Sequence, residues 1–169
     1  MKFVQKDQMG FTLIEILVAL PIAALVVAAA TGAIFQVLNS THASNYMLAY
    51  RQVQTAGYWV SHDGIQAQNV GVPAYPGFPF TLGWSDWDDG EVHEVEYSLI
   101  DMPSGSLKQL QRRETINGVG ITTTVEGRNI DSSQTSCEWD GSVLTLRVRA
   151  TVGQQTATRT YEIKPRPLG

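Results

Sequence analysis

One carboxylate stands where carboxylates are costly. Glu15 is the only charged residue between Phe11 and Leu38, a 28-residue stretch reading FTLIEILVALPIAALVVAAATGAIFQVL. At bilayer depth a carboxylate costs about 2.5–3.5 kcal/mol on insertion scales, and such residues usually have a function and a partner. A second acidic group lies in Asp86-Trp87-Asp88-Asp89-Gly90-Glu91. Calcium takes 6–8 oxygen ligands, so Asp86, Asp88, Asp89 and Glu91 are its candidates. The run is one residue short of EF-hand spacing, and a solvated hairpin turn is the stronger reading. The histidines are His42, His62 and His93. His62 and Asp63 are neighbours in sequence and are expected on different helix faces, not as a pair, and Ser61 beside them completes no triad. No G-x-S-x-G, H-E-x-x-H or Walker loop occurs. The expectation is a protein without enzymatic chemistry and, calcium aside, without a cofactor.

These groups belong to a chain of 169 residues with a net charge of −4. That length suits one domain with its own core. Only 17% of residues are charged, below the roughly 25% of an ordinary soluble domain. There is no basic excess to coat a nucleic-acid backbone. A single cysteine, Cys137, excludes an internal disulfide framework and a multi-cysteine zinc cluster.

The low charge is concentrated in the stretch that holds Glu15. From Ile16 to Ala30 no side chain is polar. As a helix, residues 11–38 would span roughly 42 Å, long enough to cross a bilayer. A chain this small cannot surround a helix that is apolar on every side. Lys2 and Lys6 in the short polar segment before it favour a cytoplasmic N-terminus. Three outcomes remain open: a secretory signal cut after its apolar part, with Ala28-Ala29-Ala30 as a site; an uncleaved anchor; or a cut before the apolar part. A disposable signal gains nothing from the cost of Glu15.

Gly10-Phe11-Thr12-Leu13-Ile14-Glu15, after a short cationic leader and directly before an apolar helix, resembles the processing site of type IV prepilins and type II secretion pseudopilins. The resemblance implies cleavage after Gly10 by a prepilin peptidase, which also N-methylates the new terminal residue, Phe11. It further implies that Glu15 sets axial register by pairing with the terminal amine of a neighbouring subunit. Glycine has no Cβ, so Gly10 can enter a narrow protease cleft in extended form. Phe11 and Glu15 share a helix face, which leaves an intrachain pair as the alternative. Pro21 should bend the axis, and Gly32 is a candidate melting point.

The helical pattern continues beyond the apolar run. Tyr46, Ala49, Tyr50, Val53, Gly57, Val60 and Gly64 fall at spacings of three and four, one helix face. Arg51, Gln52, Gln54, Ser61, His62 and Asp63 are expected outside that face. One helix is expected from about Phe11 to about Val70, ended by Gly71, Pro73, Pro76, Gly77 and Pro79. Period-two alternation then marks strands around Val95–Leu99, Ile121–Val125, Leu144–Val148 and Ala157–Ile163, with Lys108–Glu114 as an edge strand. Asp89-Gly90, Asn117-Gly118 and Asp140-Gly141 are turn signals. The expected fold class is α+β: a long N-terminal helix, apolar then amphipathic, on a mostly antiparallel sheet of four to six strands. That is the architecture of the pilin family. The expected divisions are a leader, 1–10; a transmembrane and filament-core helix, 11–38; its amphipathic continuation, 39–70; and a β head, 71–169.

Within that family the order of Ala56–Asp63, Glu91–Leu99, Leu110–Arg113 and Val125–Ile130 resembles minor pilins of the PilW-like group and subunit-J pseudopilins. Their implied partners are other pilin or pseudopilin subunits, the prepilin peptidase and methyltransferase, an inner-membrane assembly platform and membrane lipid. The implied location is the bacterial inner membrane as a single pass, then a pilus or pseudopilus. The alternatives are a pilus-displayed adhesin or DNA-uptake subunit, and a secreted or anchored protein with an ordinary signal. For nucleic acid the acidic balance is unfavourable, and Arg112, Arg113, Arg128, Arg147 and Arg149 form a basic patch only if their strands are neighbours. Trp84 and Trp87 are expected in a loop beside Phe78 and Phe80, packed on the sheet. Cys137 is expected to be buried or free, with intermolecular pairing its only route to a disulfide.

Overall fold

The computed structural model describes residues 12–88 and 90–166. One helix, α1 (Leu13–Gln66), precedes eight strands. These are β1 (Asn69–Gly71), β2 (Phe80–Ser85), β3 (Val92–Asp101), β4 (Lys108–Ile116), β5 (Val119–Ile130), β6 (Ser136–Trp139), β7 (Leu144–Val152) and β8 (Gln155–Ile163). The chain divides into two compact units between Thr41 and His42, inside α1.

In the first unit every described residue is exposed. Glu15 lies in the first turn and Pro21 inside the helix. Thr31 donates its hydroxyl to the Val27 carbonyl at 2.8 Å, so this polar group is satisfied within the helix, as an apolar medium demands. An 18-residue window of α1 is apolar enough to cross a membrane, and none of it is buried.

The second unit holds the core. Ala49, Val53, Ala56, Gly57, Val60, Asp63 and Gly64 form the buried stripe of α1, packed on an antiparallel sheet in the order β1-β2-β3-β4-β5-β7-β6, with β8 also on β7. Alternation sets the inner face: Phe80, Leu82 and Trp84 of β2, Val95 and Tyr97 of β3, Leu110 of β4, and Leu144, Leu146, Val148 and Ala150 of β7 are all buried. Each large apolar side chain removed from water in this way contributes about 1.5–3 kcal/mol. The β4–β5 turn has both central residues in the left-handed region, Asn117 at φ 53° and Gly118 at φ 70°, as a two-residue hairpin of this type requires.

Several expectations are corrected. The helix ends at Gln66, not Val70, because Asn69–Gly71 pairs with Thr81–Gly83 as β1. β4 is interior, between β3 and β5. The sheet has eight strands rather than four to six: β1 and β6 are short, with three and four residues, and β2, expected as part of a loop, alternates Phe80, Leu82 and Trp84 inward. Phe80 and Trp84 are in β2 and buried, while Trp87 is 80% exposed. Tyr46 is exposed, and Ala56 takes a place in the stripe.

Candidate functional site

Gly10 and Phe11, the expected cleavage and methylation positions, lie outside the described residues. Thr12 and Glu15 are described, and they close the start of α1 on itself. Glu15 Oε2 accepts from the Thr12 backbone N–H and from its hydroxyl, each at 2.9 Å. The Glu15 N–H reaches back to Thr12 Oγ1 at 3.4 Å. Thr-x-x-Glu is thus a capping box, each residue serving the other's backbone. Glu15 also lines a shallow apolar hollow with Ile16, Ala19, Leu20 and Ala23. The small Ala19 and Ala23 are the residue type that lets a second helix approach closely in lipid.

The acidic loop is described in part: Asp89 lies outside the described residues. The Asp86 N–H donates to the Glu91 carbonyl at 2.8 Å, and the Asp88 N–H lies 3.4 Å from Asp86 Oδ1. These contacts are those of a turn. Among the described residues no three His, Cys, Asp or Glu side chains gather as a metal-holding group.

A cluster absent from the expectations lies in the second unit. Asp63 is 1% exposed, on the buried stripe one turn after Val60. Its Oδ2 accepts from Arg112 Nε at 2.7 Å and from the Tyr97 hydroxyl at 2.5 Å. Its Oδ1 accepts from a terminal Arg112 nitrogen at 3.2 Å. Arg112 also donates to Glu114 Oε2 at 2.8 Å, and Glu114 Oε1 lies 3.0 Å from His93 Nδ1. Aromatic rings enclose this chain of charges. Trp59 lies under the Arg112 guanidinium, and Trp84 stacks on His93 with ring planes 3° apart. His62, expected on a different face from Asp63 and not as its pair, reaches Asp63 Oδ1 at 3.3 Å.

The electrostatics follow from burial and from these partners. Burial, then the charge and hydrogen bond of Asp63, push the Tyr97 hydroxyl far above its ordinary range. Burial opposes the charge on Arg112, but hydrogen bonds to Asp63 and Glu114 more than offset it. Burial also pushes the Glu114 carboxyl up, and hydrogen bonds from Arg112 and His93 outweigh that and hold it below the ordinary 4.5. Removing one partner from such a buried pair costs about 3–5 kcal/mol. The cluster ties α1 to β3 and β4.

Three of the five arginines of the expected basic patch are engaged by acidic neighbours or turned inward. Arg112 is turned inward, Arg113 stands opposite Glu96 across β3–β4, and Arg149 lies 3.9 Å from Asp131. Cys137 is buried. Burial, with the nearby Glu138 charge, pushes its thiol up to about 12, which disfavours the reactive thiolate.

Comparison with known proteins places one feature. The family model for the Prokaryotic N-terminal methylation motif matches residues 6–31. No curated protein and no solved structure matches the chain. The matched segment contains Gly10, Phe11 and Glu15 and runs into the exposed apolar part of α1. The motif and that helix support a type IV pilin-like or pseudopilin-like chain, anchored in a membrane and then assembled with other pilin subunits.

Proposed function

We propose that this chain is a minor structural subunit of a type IV pilus or a type II secretion pseudopilus. A prepilin peptidase removes residues 1–10 and methylates Phe11. Residues 11–38 rest in the inner membrane and then move into the filament core through an assembly platform, and residues 71–169 are displayed as a head. The chain performs no chemistry of its own. The observation that carries this reading is the methylation motif at residues 6–31 leading into a helix whose residues from Leu13 to Ser44 are all exposed. That surface has to be covered, first by lipid and then by helices of like character.

Glu15 fits the register role. Both bonds from Thr12 land on Oε2, so Oε1 can accept a neighbouring subunit's terminal amine while the capping box stays closed. Glu15→Ala is expected to leave removal of residues 1–10 intact and to abolish recruitment into sheared filaments, read by immunoblot of the filament and membrane fractions. Undiminished recruitment would overturn the register role.

A further inference from the structure

β5 has a neighbour on one side only over most of its length. β4 pairs with it from Val119 to Ile130, while on the other side β7 meets it at the single position Ile130↔Ala150. In antiparallel strands alternate residues direct their N–H and C=O groups to opposite neighbours. Every second residue between Ile121 and Val125 therefore offers both groups at an edge that, among the described residues, carries no strand. Towards β7 the edge is closed: the Arg128 N–H donates to Gln52 Oε1 at 2.8 Å, and Gly127 lies close to Ala56. From Val119 to Val125 every residue is exposed, with Val119 at 74% and Ile121 at 57%.

Folded proteins usually blunt such an edge with lysine, proline or an inward charge. β8, which pairs with β7 alone among the described strands, follows that practice: it carries Arg159 and Glu162 and is followed by Lys164-Pro165. β5 does not. Ile121-Thr122-Thr123-Thr124-Val125 is uncharged, lacks proline and is β-branched throughout, the composition that best fits an extended strand. It is also nearly the same read in either direction. Laid antiparallel on a copy with Thr123 at the centre, Ile121 meets Val125, Thr122 meets Thr124, and Thr123 meets itself. Apolar branched pairs and Thr–Thr pairs are stabilising cross-strand combinations. Beyond them Gly120 meets Glu126 and Gly118 meets Arg128, so no like charges oppose.

We infer that the β5 edge docks on the β5 edge of a second copy of this chain, through a two-fold contact that continues the sheet across two heads. A contact between identical patches closes on itself and gives a dimer. This dimer concerns the head and stands or falls separately from the filament reading.

The test is disulfide trapping of the full chain in membranes. Directly opposed residues in an antiparallel pair lie about 4.5–5.5 Å apart between Cα atoms, within the range of roughly 4.4–6.8 Å that a disulfide spans. The native Cys137 is buried and stays silent, which also reports that the variants are folded. Under mild oxidation Thr123→Cys is expected to run at twice the monomer mass, while Thr160→Cys on β8 stays monomeric. Adding Ile121→Lys and Val125→Lys to Thr123→Cys is expected to abolish the dimer. Three results would overturn the inference: a monomeric Thr123→Cys, a dimer that survives both lysines, or a crosslink to a protein of another mass.

Discussion

Glu15 and Asp63 are two carboxylates on one helix in opposite surroundings. Asp63 is buried and meets three donors from Arg112 and Tyr97 within its own head. Glu15 lies on a stretch where no described residue is buried, and among the described residues the donors that reach its side chain are the two of Thr12. Desolvating a charge is expensive unless it is paired and hydrogen-bonded. The head meets that requirement inside one chain. On the proposed reading, the N-terminal stretch has it met by another molecule, which also covers its apolar surface.

The sharpest way to break this contrast is Asp63→Ala. It would leave the buried Tyr97 hydroxyl without its acceptor and the Arg112 charge with Glu114 as its remaining carboxylate, and a loss of about 3–5 kcal/mol is expected. Chemical unfolding followed by tryptophan fluorescence reads it. A loss no larger than that of an exposed substitution would mean the cluster is not holding the head.

The glycines of the two regions sharpen the contrast further. A Cβ on Gly57 would fall on the Tyr161 ring, whose hydroxyl donates to the Val53 carbonyl at 3.1 Å. Displacing the ring costs roughly 1–3 kcal/mol, against a gain of about 1 kcal/mol in helix propensity. Gly57→Ala is expected to lower the head's stability by a net of about 1 kcal/mol, read as a lower unfolding midpoint. At Gly32 a Cβ would meet nothing within 4 Å, so Gly32→Ala is expected to leave the head's midpoint unchanged in the same assay.

The smallest effect is on pH. The Glu114 carboxyl is held below 4.5 in the folded head, so it stabilises the head above the ordinary carboxyl range. That contribution is lost as pH falls through the folded value. Unfolding midpoints measured from neutral pH down to about pH 3 are expected to fall less steeply for Glu114→Gln than for the unchanged chain. Parallel acid limbs would show that Glu114 is not coupled to folding.

Much of this is legible in the sequence, for physical reasons. The apolar helix announces itself by the absence of charge from Ile16 to Ala30. β3, β5, β7 and β8 announce themselves by period two. The stripe from Ala49 to Gly64 shows a period near 3.6 and misleads at one informative place. Asp63 falls three residues after Val60, which puts it on the buried face, yet its charge suggests the outside. The residues that make that position tolerable, Tyr97 and Arg112, are 34 and 49 positions away, and no local pattern links them. Arg112 lies two residues after buried Leu110 on β4 and so shares its inward face, a sign that an inward cation needs an anion. The bare edge of β5 is also hidden, because neighbourhood in a sheet is set by β7, not by β5 itself. The Gly10–Glu15 pattern needs no fold to be read.

The most direct measurement is the intact mass and N-terminal sequence of the chain from cells that carry a prepilin peptidase. A processed pilin-like subunit begins at Phe11 and carries one added methyl group on its terminal amine. A chain that still begins at Met1, or one that begins at Thr31, would contradict it.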